Sequence, residues 1–128
     1  MSDGMRRTVR VVVLVVVALA LLYAFRTAWL VMNATEGDVP AASALPLPAG
    51  SEILDESRDC ASGGCWITLE VRPPSGQTPE DLAADIGATP QLELPGNVID
   101  PRTIWVWAEP GGDVLVLRAD YFSQKWVP

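Results

Sequence analysis

The chain has 128 residues with nine basic and sixteen acidic side chains, a formal net charge of −7, no histidine and two cysteines. Without histidine, the His-dependent catalytic triads and the common metal sites are excluded. The acidic excess repels phosphate backbones, so no nucleic-acid partner is expected.

Residues 1–10 are a basic N terminus in which Arg6, Arg7 and Arg10 outweigh Asp3. Residues 11–25 carry no charge, and after Arg26 the apolar character resumes through Met32, giving a stretch of 22 residues from position 11. About 20 are needed for a helix to cross the hydrocarbon of a bilayer. The eleven Val, Leu and Phe side chains of residues 11–25 contribute roughly −3 to −7 kcal/mol to insertion, against about +3 for an arginine at the bilayer centre and less near an end. Residues 11–32 are therefore read as a transmembrane signal anchor whose first partner is membrane lipid. Arg26 lies about 9 Å along the helix from Met32, within snorkelling reach of headgroups. A carboxylate partner on a neighbouring transmembrane helix is the other use for such a residue. The basic flank predicts a cytoplasmic N terminus and an extracytoplasmic C-terminal part, with Trp29 at the outer interface. Cleavage as a signal peptide is the competing reading, because Ala42, Ser43 and Ala44 spell an A-x-A site. That site lies seventeen residues beyond Phe25, with Arg26, Trp29, Glu36 and Asp38 between, which favours an uncleaved anchor.

Residues 33–50 contain Pro40, Pro46 and Pro48 among small residues without periodicity, the composition of a linker or stalk. Residues 51–128 form one small domain of a size that often gains from a staple. From position 33 onward there are fifteen acidic and five basic residues, a net charge of −10.

Within the domain, Ile53 and Leu54 open a strand that runs toward Cys60, with a turn at Ser62, Gly63 and Gly64. Cys65, Ile67, Leu69 and Val71 then alternate with Trp66, Thr68, Glu70 and Arg72, the period of a half-buried strand, which Pro73 and Pro74 stop. Thr78 before Pro79, Glu80 and Asp81 makes a helix start, Leu82, Ala83 and Ile86 share its apolar face, and Gly87 ends it. Residues 87–102 read as irregular. Residues 103–108 and 114–119 flank Glu109, Pro110, Gly111, Gly112 and Asp113, which predicts a β-hairpin. The expected fold class is α+β: a β-β-α-β-β domain with an antiparallel sheet, one short helix and a disulfide.

Cys60 and Cys65, on the side assigned to an oxidising compartment, are expected to be disulfide-bonded, with a loop-entropy contribution of about 2 kcal/mol. Their four-residue spacing at a hairpin does not suit a redox-active dithiol, and no further ligands are present for zinc. Asp55, Glu56 and Asp59 read as a solvated acidic edge. No pairing around Lys125 or among the carboxylates singles out a catalytic site, so no enzyme and no cofactor is expected. The aromatics are the remaining signal. Trp105 and Trp107 share one face of their strand while Ile104, Val106 and Ala108 share the other. Either the helix and the Pro-rich segment cover the Trp face, or Trp66, Trp105 or Trp107 with Trp126 forms a partner-binding patch.

The string DCASGGCW at residues 59–66, followed by LEVRPPSGQTPEDLA at residues 69–83, resembles a group of single-pass membrane proteins of high-GC Gram-positive bacteria with a C-x4-C extracytoplasmic domain. The resemblance covers about the first half of the domain. It implies a bacterial cell envelope and carries no catalytic or cofactor residue. The expected function is that of an accessory or scaffolding subunit of an envelope complex, binding other membrane or envelope proteins. Arg26 and Tyr23 on the helix and the Trp-bearing sheet would be the contact surfaces. An extracytoplasmic thiol-redox domain acting through Cys60 and Cys65, or a secreted small ligand-binding domain, is the alternative.

Overall fold

A computed structural model of the protein describes residues 2–124, with side chains at all of these positions but 35 and 36. The apolar N-terminal segment is part of one helix, α1 (Asp3–Glu36). Every residue from 2 to 26 is exposed, and between residues 11 and 25 the helix is apolar on all sides. Such a surface calls for cover by hydrocarbon or by other protein. By length and composition α1 is able to cross a membrane.

After the helix come β1 (Glu52–Ala61), β2 (Gly64–Arg72), α2 (Pro79–Ile86), β3 (Gln91–Leu94), β4 (Ile104–Gly111) and β5 (Val114–Asp120). The strands form one antiparallel sheet in the order β1-β2-β5-β4-β3. The α+β architecture with one short helix is as expected, and the element order differs from β-β-α-β-β by the added strand β3. Gln91, Leu92, Glu93 and Leu94 lie between Pro90 and Pro95. Four residues are too few to specify a strand alone, and they become one because β4 offers an edge, pairing Leu92 with Val106 and Leu94 with Ile104. Strand β4 also runs on through Glu109, Pro110 and Gly111 to pair with β5. Proline is tolerated because β3 stops opposite Trp107 and, after the bond from Ala108 N to Pro90 O at 2.8 Å, no strand pairs with the outer edge of β4 at Pro110.

The alternation of β2 puts Cys65, Ile67, Leu69 and Val71 inward, at 6%, 2%, 0% and 0% exposure. The last three meet Leu115, Leu117 and Ala119 of β5 and Val106 and Ala108 of β4, with Leu82, Ala83 and Ile86 of α2 closing the layer. Helix α2 is locally well specified. The Thr78 hydroxyl accepts from Asp81 N at 3.1 Å, the Asp81 carboxylate accepts from Thr78 N at 3.0 Å, Pro79 opens the first turn and Gly87 closes the last. These contacts satisfy backbone groups that a helix of eight residues leaves bare at its ends.

The segment expected to be a free stalk lies on the domain. Pro40 and Leu45 are buried, Leu45 within the core, and Val39, Ala42 and Leu47 pack against it. Proline-rich chain is stiff, but its apolar residues gain more from the open margin of a small core than from water. Strand β1 is exposed along all ten of its residues. A register shift between Ile53 and Asp55 leaves Ile53 and Leu54 both about 40% exposed. Asp55, Glu56 and Asp59 lie on this outer strand, where charge discourages strand-to-strand association.

Cys60 and Cys65 are bonded across the β1–β2 hairpin, where they are register partners. Replacing both by serine is expected to lower stability by about 2 kcal/mol, read from urea denaturation of the full-length protein in detergent. A loss below about 0.5 kcal/mol would mean that the hairpin closes equally well without the bond.

Candidate functional site

Two regions of the molecule gather the side chains that bear on function. The first is the junction of α1 with the domain. Among the described side chains of α1, Thr27, Leu30, Asn33 and Ala34 have reduced exposure, and their spacing puts them on one face. Below them, Arg26 donates to the carbonyl of Ile99, in the segment between β3 and β4. At the helix end, Gly37 takes φ +140° and donates to Asn33 O at 3.1 Å. Glycine is favoured there by its backbone angle, while a Cβ would stand 3.4 Å from Cys65 Sγ, within ordinary contact of the disulfide. Arg58 of β1 donates to the Gly37 carbonyl. The last turn of α1 has no basic residue of its own, and the domain brings cations to the negative end of the helix dipole.

Arg102 completes the junction. Its side chain is 9% exposed. Nε and Nη2 donate to the two Asp100 carboxylate oxygens at 2.9 and 2.7 Å, and Nη1 donates to Asp38 at 2.6 Å. The guanidinium also stacks on Tyr121, 4.0 Å from the ring centroid. One planar fork thus ties the chain just after α1 to the loop before β4 and to the end of β5. Burial pushes the Tyr121 phenol above its ordinary value. The Asp100 carboxyl is held below its ordinary 3.8, chiefly by the hydrogen bonds from Arg102. A depressed carboxylate contributes stability that is fully present above its unfolded value and is lost as pH falls through the folded one. The junction is therefore expected to hold from neutral pH down to about pH 4 and to loosen below it. This is readable as a change in Arg102 side-chain NMR shifts that Asp100→Asn abolishes. An identical acid transition in Asp100→Asn would place its origin elsewhere.

The second region is the sheet face opposite α2. Trp66 of β2, Trp105 and Trp107 of β4, and Arg118 and Asp120 of β5 share it. Trp107 is 38% exposed and Trp105 and Trp66 are half-buried. Arg118 is the register partner of both Trp107 and Thr68, and its guanidinium lies 4.0 Å over the Trp66 ring, a cation–π contact. Asp120, 3% exposed, turns the chain end back. It accepts from Phe122 N at 3.1 Å, Ser123 N at 2.7 Å and Ser123 Oγ at 2.7 Å. Gln91 then donates to the Gln124 carbonyl at 3.0 Å. Between this returning chain and the sheet lies a groove of about 320 Å³, lined by Gln91, Trp105, Trp107, Arg118, Asp120 and Ser123 among others. Apolar ring surface, a guanidinium and amide and hydroxyl groups stand together there, a combination suited to an aromatic or planar polar group of a partner.

Of the residues singled out in the sequence, Trp66, Trp105 and Trp107 come together, and α2 covers the other face of their sheet. Arg26 is at the junction, apart from them. Trp126 lies outside the described residues. Arg118, Asp120, Gln91 and Ser123 were not anticipated, although the alternation of β5 carries a signal for two of them. Leu115, Leu117 and Ala119 point into the core, which leaves Arg118 and Asp120 on the Trp face. No protein-family model, no curated protein and no solved structure matches the chain. The functional reading therefore rests on the molecule itself.

Proposed function

We propose that this protein is a single-pass, membrane-anchored accessory or scaffolding subunit of a bacterial cell-envelope complex, with its N terminus in the cytoplasm and its domain outside. It acts by binding another envelope protein through the groove at Trp105, Trp107 and Arg118. The carrying observation is the exposure of an aromatic and guanidinium surface on the sheet face that α2 leaves open. Trp and Arg are the side chains most often found at the energetic centre of protein interfaces. The exposed apolar helix, with Arg6, Arg7 and Arg10 at its start and acidic residues beyond its end, supports the anchoring and its direction.

The test is site-specific photo-crosslinking in native membranes, with the reactive group at Trp107 and, as a control, at the exposed Glu80 of α2, followed by mass spectrometry of the adducts. A single stoichiometric protein adduct from position 107, absent from position 80 and reduced at least tenfold by Arg118→Ala, is the expected result. Equal, heterogeneous labelling from both positions would overturn the proposal, as would a mature chain that begins after Ala44.

A further inference from the structure

Val98 and Ile99 are 77% and 73% exposed, more than any large apolar side chain of α1, where Phe25 reaches 72%. Two adjacent branched side chains so presented are unusual on an acidic domain. They sit on a braced tip: Asn97 Oδ1 accepts from Ile99 N and Asp100 N, both at 2.9 Å, and Asn97 N donates to Asp100 O at 2.8 Å. Arg102 holds Asp100 behind it. The tip is also fixed in height, because the Ile99 carbonyl accepts from Arg26. Arg26 directly follows the uncharged run of residues 11–25, and because Thr27, Leu30, Asn33 and Ala34 beyond it face the domain, the boundary between hydrocarbon and headgroups falls in this inference at Arg26 rather than at Met32, where the apolar stretch of the sequence ends. The remaining ten residues of α1 after Arg26 rise by about 15 Å alongside the domain. Trp29, one turn up and 60% exposed, suits the same interfacial depth.

We infer that the tip formed by residues 96–99 is a second membrane contact, in which Val98 and Ile99 enter the boundary between headgroups and acyl chains of the leaflet on the domain side. The inference rests on α1 being a membrane anchor. It makes lipid the occupant because the tip is continuous with the lipid-facing helix surface through Arg26. Charge agrees. Residues 94–99 carry no ionisable side chain, and behind them the two carboxylates on Arg102, Asp38 and Asp100, are matched by two guanidiniums, Arg102 and Arg26, whereas the remainder of the acidic domain is repelled by anionic headgroups. The domain is thus seated on the bilayer, its lower end at the interface. The turn at Gly112 and Asp113 lies at the opposite end of β4 from the segment that carries the tip, roughly 23 Å along the strand from Ile104.

The experiment uses the full chain reconstituted in vesicles of phosphatidylcholine and phosphatidylglycerol. An environment-sensitive fluorophore is attached to Val98→Cys, to Ile99→Cys as a second position, and to Asp113→Cys as the distal control. Labels at 98 and 99 are expected to be quenched by iodide at least threefold less than the label at 113, and to be quenched by lipids spin-labelled near the headgroup. Iodide quenching at 98 and 99 equal to that at 113, in a chain that alkaline carbonate does not extract, overturns the docking alone. Release of the chain by carbonate overturns the anchoring and the docking with it. Labels shielded from iodide yet insensitive to the spin-labelled lipids mean that protein, a second copy of the chain, covers the tip, and lipid as the occupant is wrong.

Discussion

Leu117→Ala is expected to destabilise the domain by about 3–5 kcal/mol, the largest effect of any single truncation considered. Leu117 is fully buried on β5, the middle strand of five, where its register partners are Leu69 and Ala108. Strands hold it from both sides and α2 lies above, so the cavity left by three carbons has little means of collapse. A domain this small has a stability of only several kcal/mol. Most molecules of the variant should therefore be unfolded at 37 °C. Near-UV circular dichroism of the tryptophans during urea denaturation, on full-length protein in detergent, reads the change. Val116→Ala, one residue away on the opposite face and half-exposed, should cost less than about 1 kcal/mol. Comparable losses for the two variants would show that the core is not organised on the face assigned to it.

Arg102→Ala should cost about 2–3 kcal/mol, lowering the thermal midpoint by roughly 10 °C or more. The value exceeds that of a surface ion pair because the guanidinium is nearly buried and holds two carboxylates and a ring at once, although Asp38 and Asp100 themselves stay partly in water and limit the penalty. Arg102→Lys keeps the charge but loses the fork that serves Asp100 and Asp38 together, and should recover less than half of the loss. Hydrogen exchange separates this from a general loss of stability. Amides of residues 97–100, of position 102 and of Asp38 should exchange faster in Arg102→Ala, while those of β2 and β5 keep their order of protection. Uniform acceleration across the sheet would mean that Arg102 supports the core rather than the junction.

Local chemistry made much of this molecule readable. The alternation in β2 and the Thr78, Pro79, Asp81 and Gly87 signals around α2 depend on neighbours within a few residues, and the structure has them as expected. The same holds for the Cys60–Cys65 bond, whose partners face each other across a short turn. Strand β3 and the packed segment after α1 were not readable. Each is shaped by a surface elsewhere in the chain: β3 by the edge of β4, and Leu45 by the margin of a core built from residues 67–119. Arg102 gave no signal either, since its partners Asp38 and Tyr121 lie 64 and 19 positions away.

From sequence alone come a helix long and apolar enough to cross a membrane, with its charged ends, and the periodic elements of an α+β domain. These follow from composition and repeat, quantities that every window of the chain carries within itself. Only tertiary structure decided that the domain is clamped to the helix end rather than held off on a stalk. It also decided that three tryptophans share the sheet face opposite α2 with Arg118, and that the Ile99 carbonyl meets Arg26. The physical reason is the same in each case: these are contacts between residues far apart in sequence, whose free energy exists only once the sheet has brought them together.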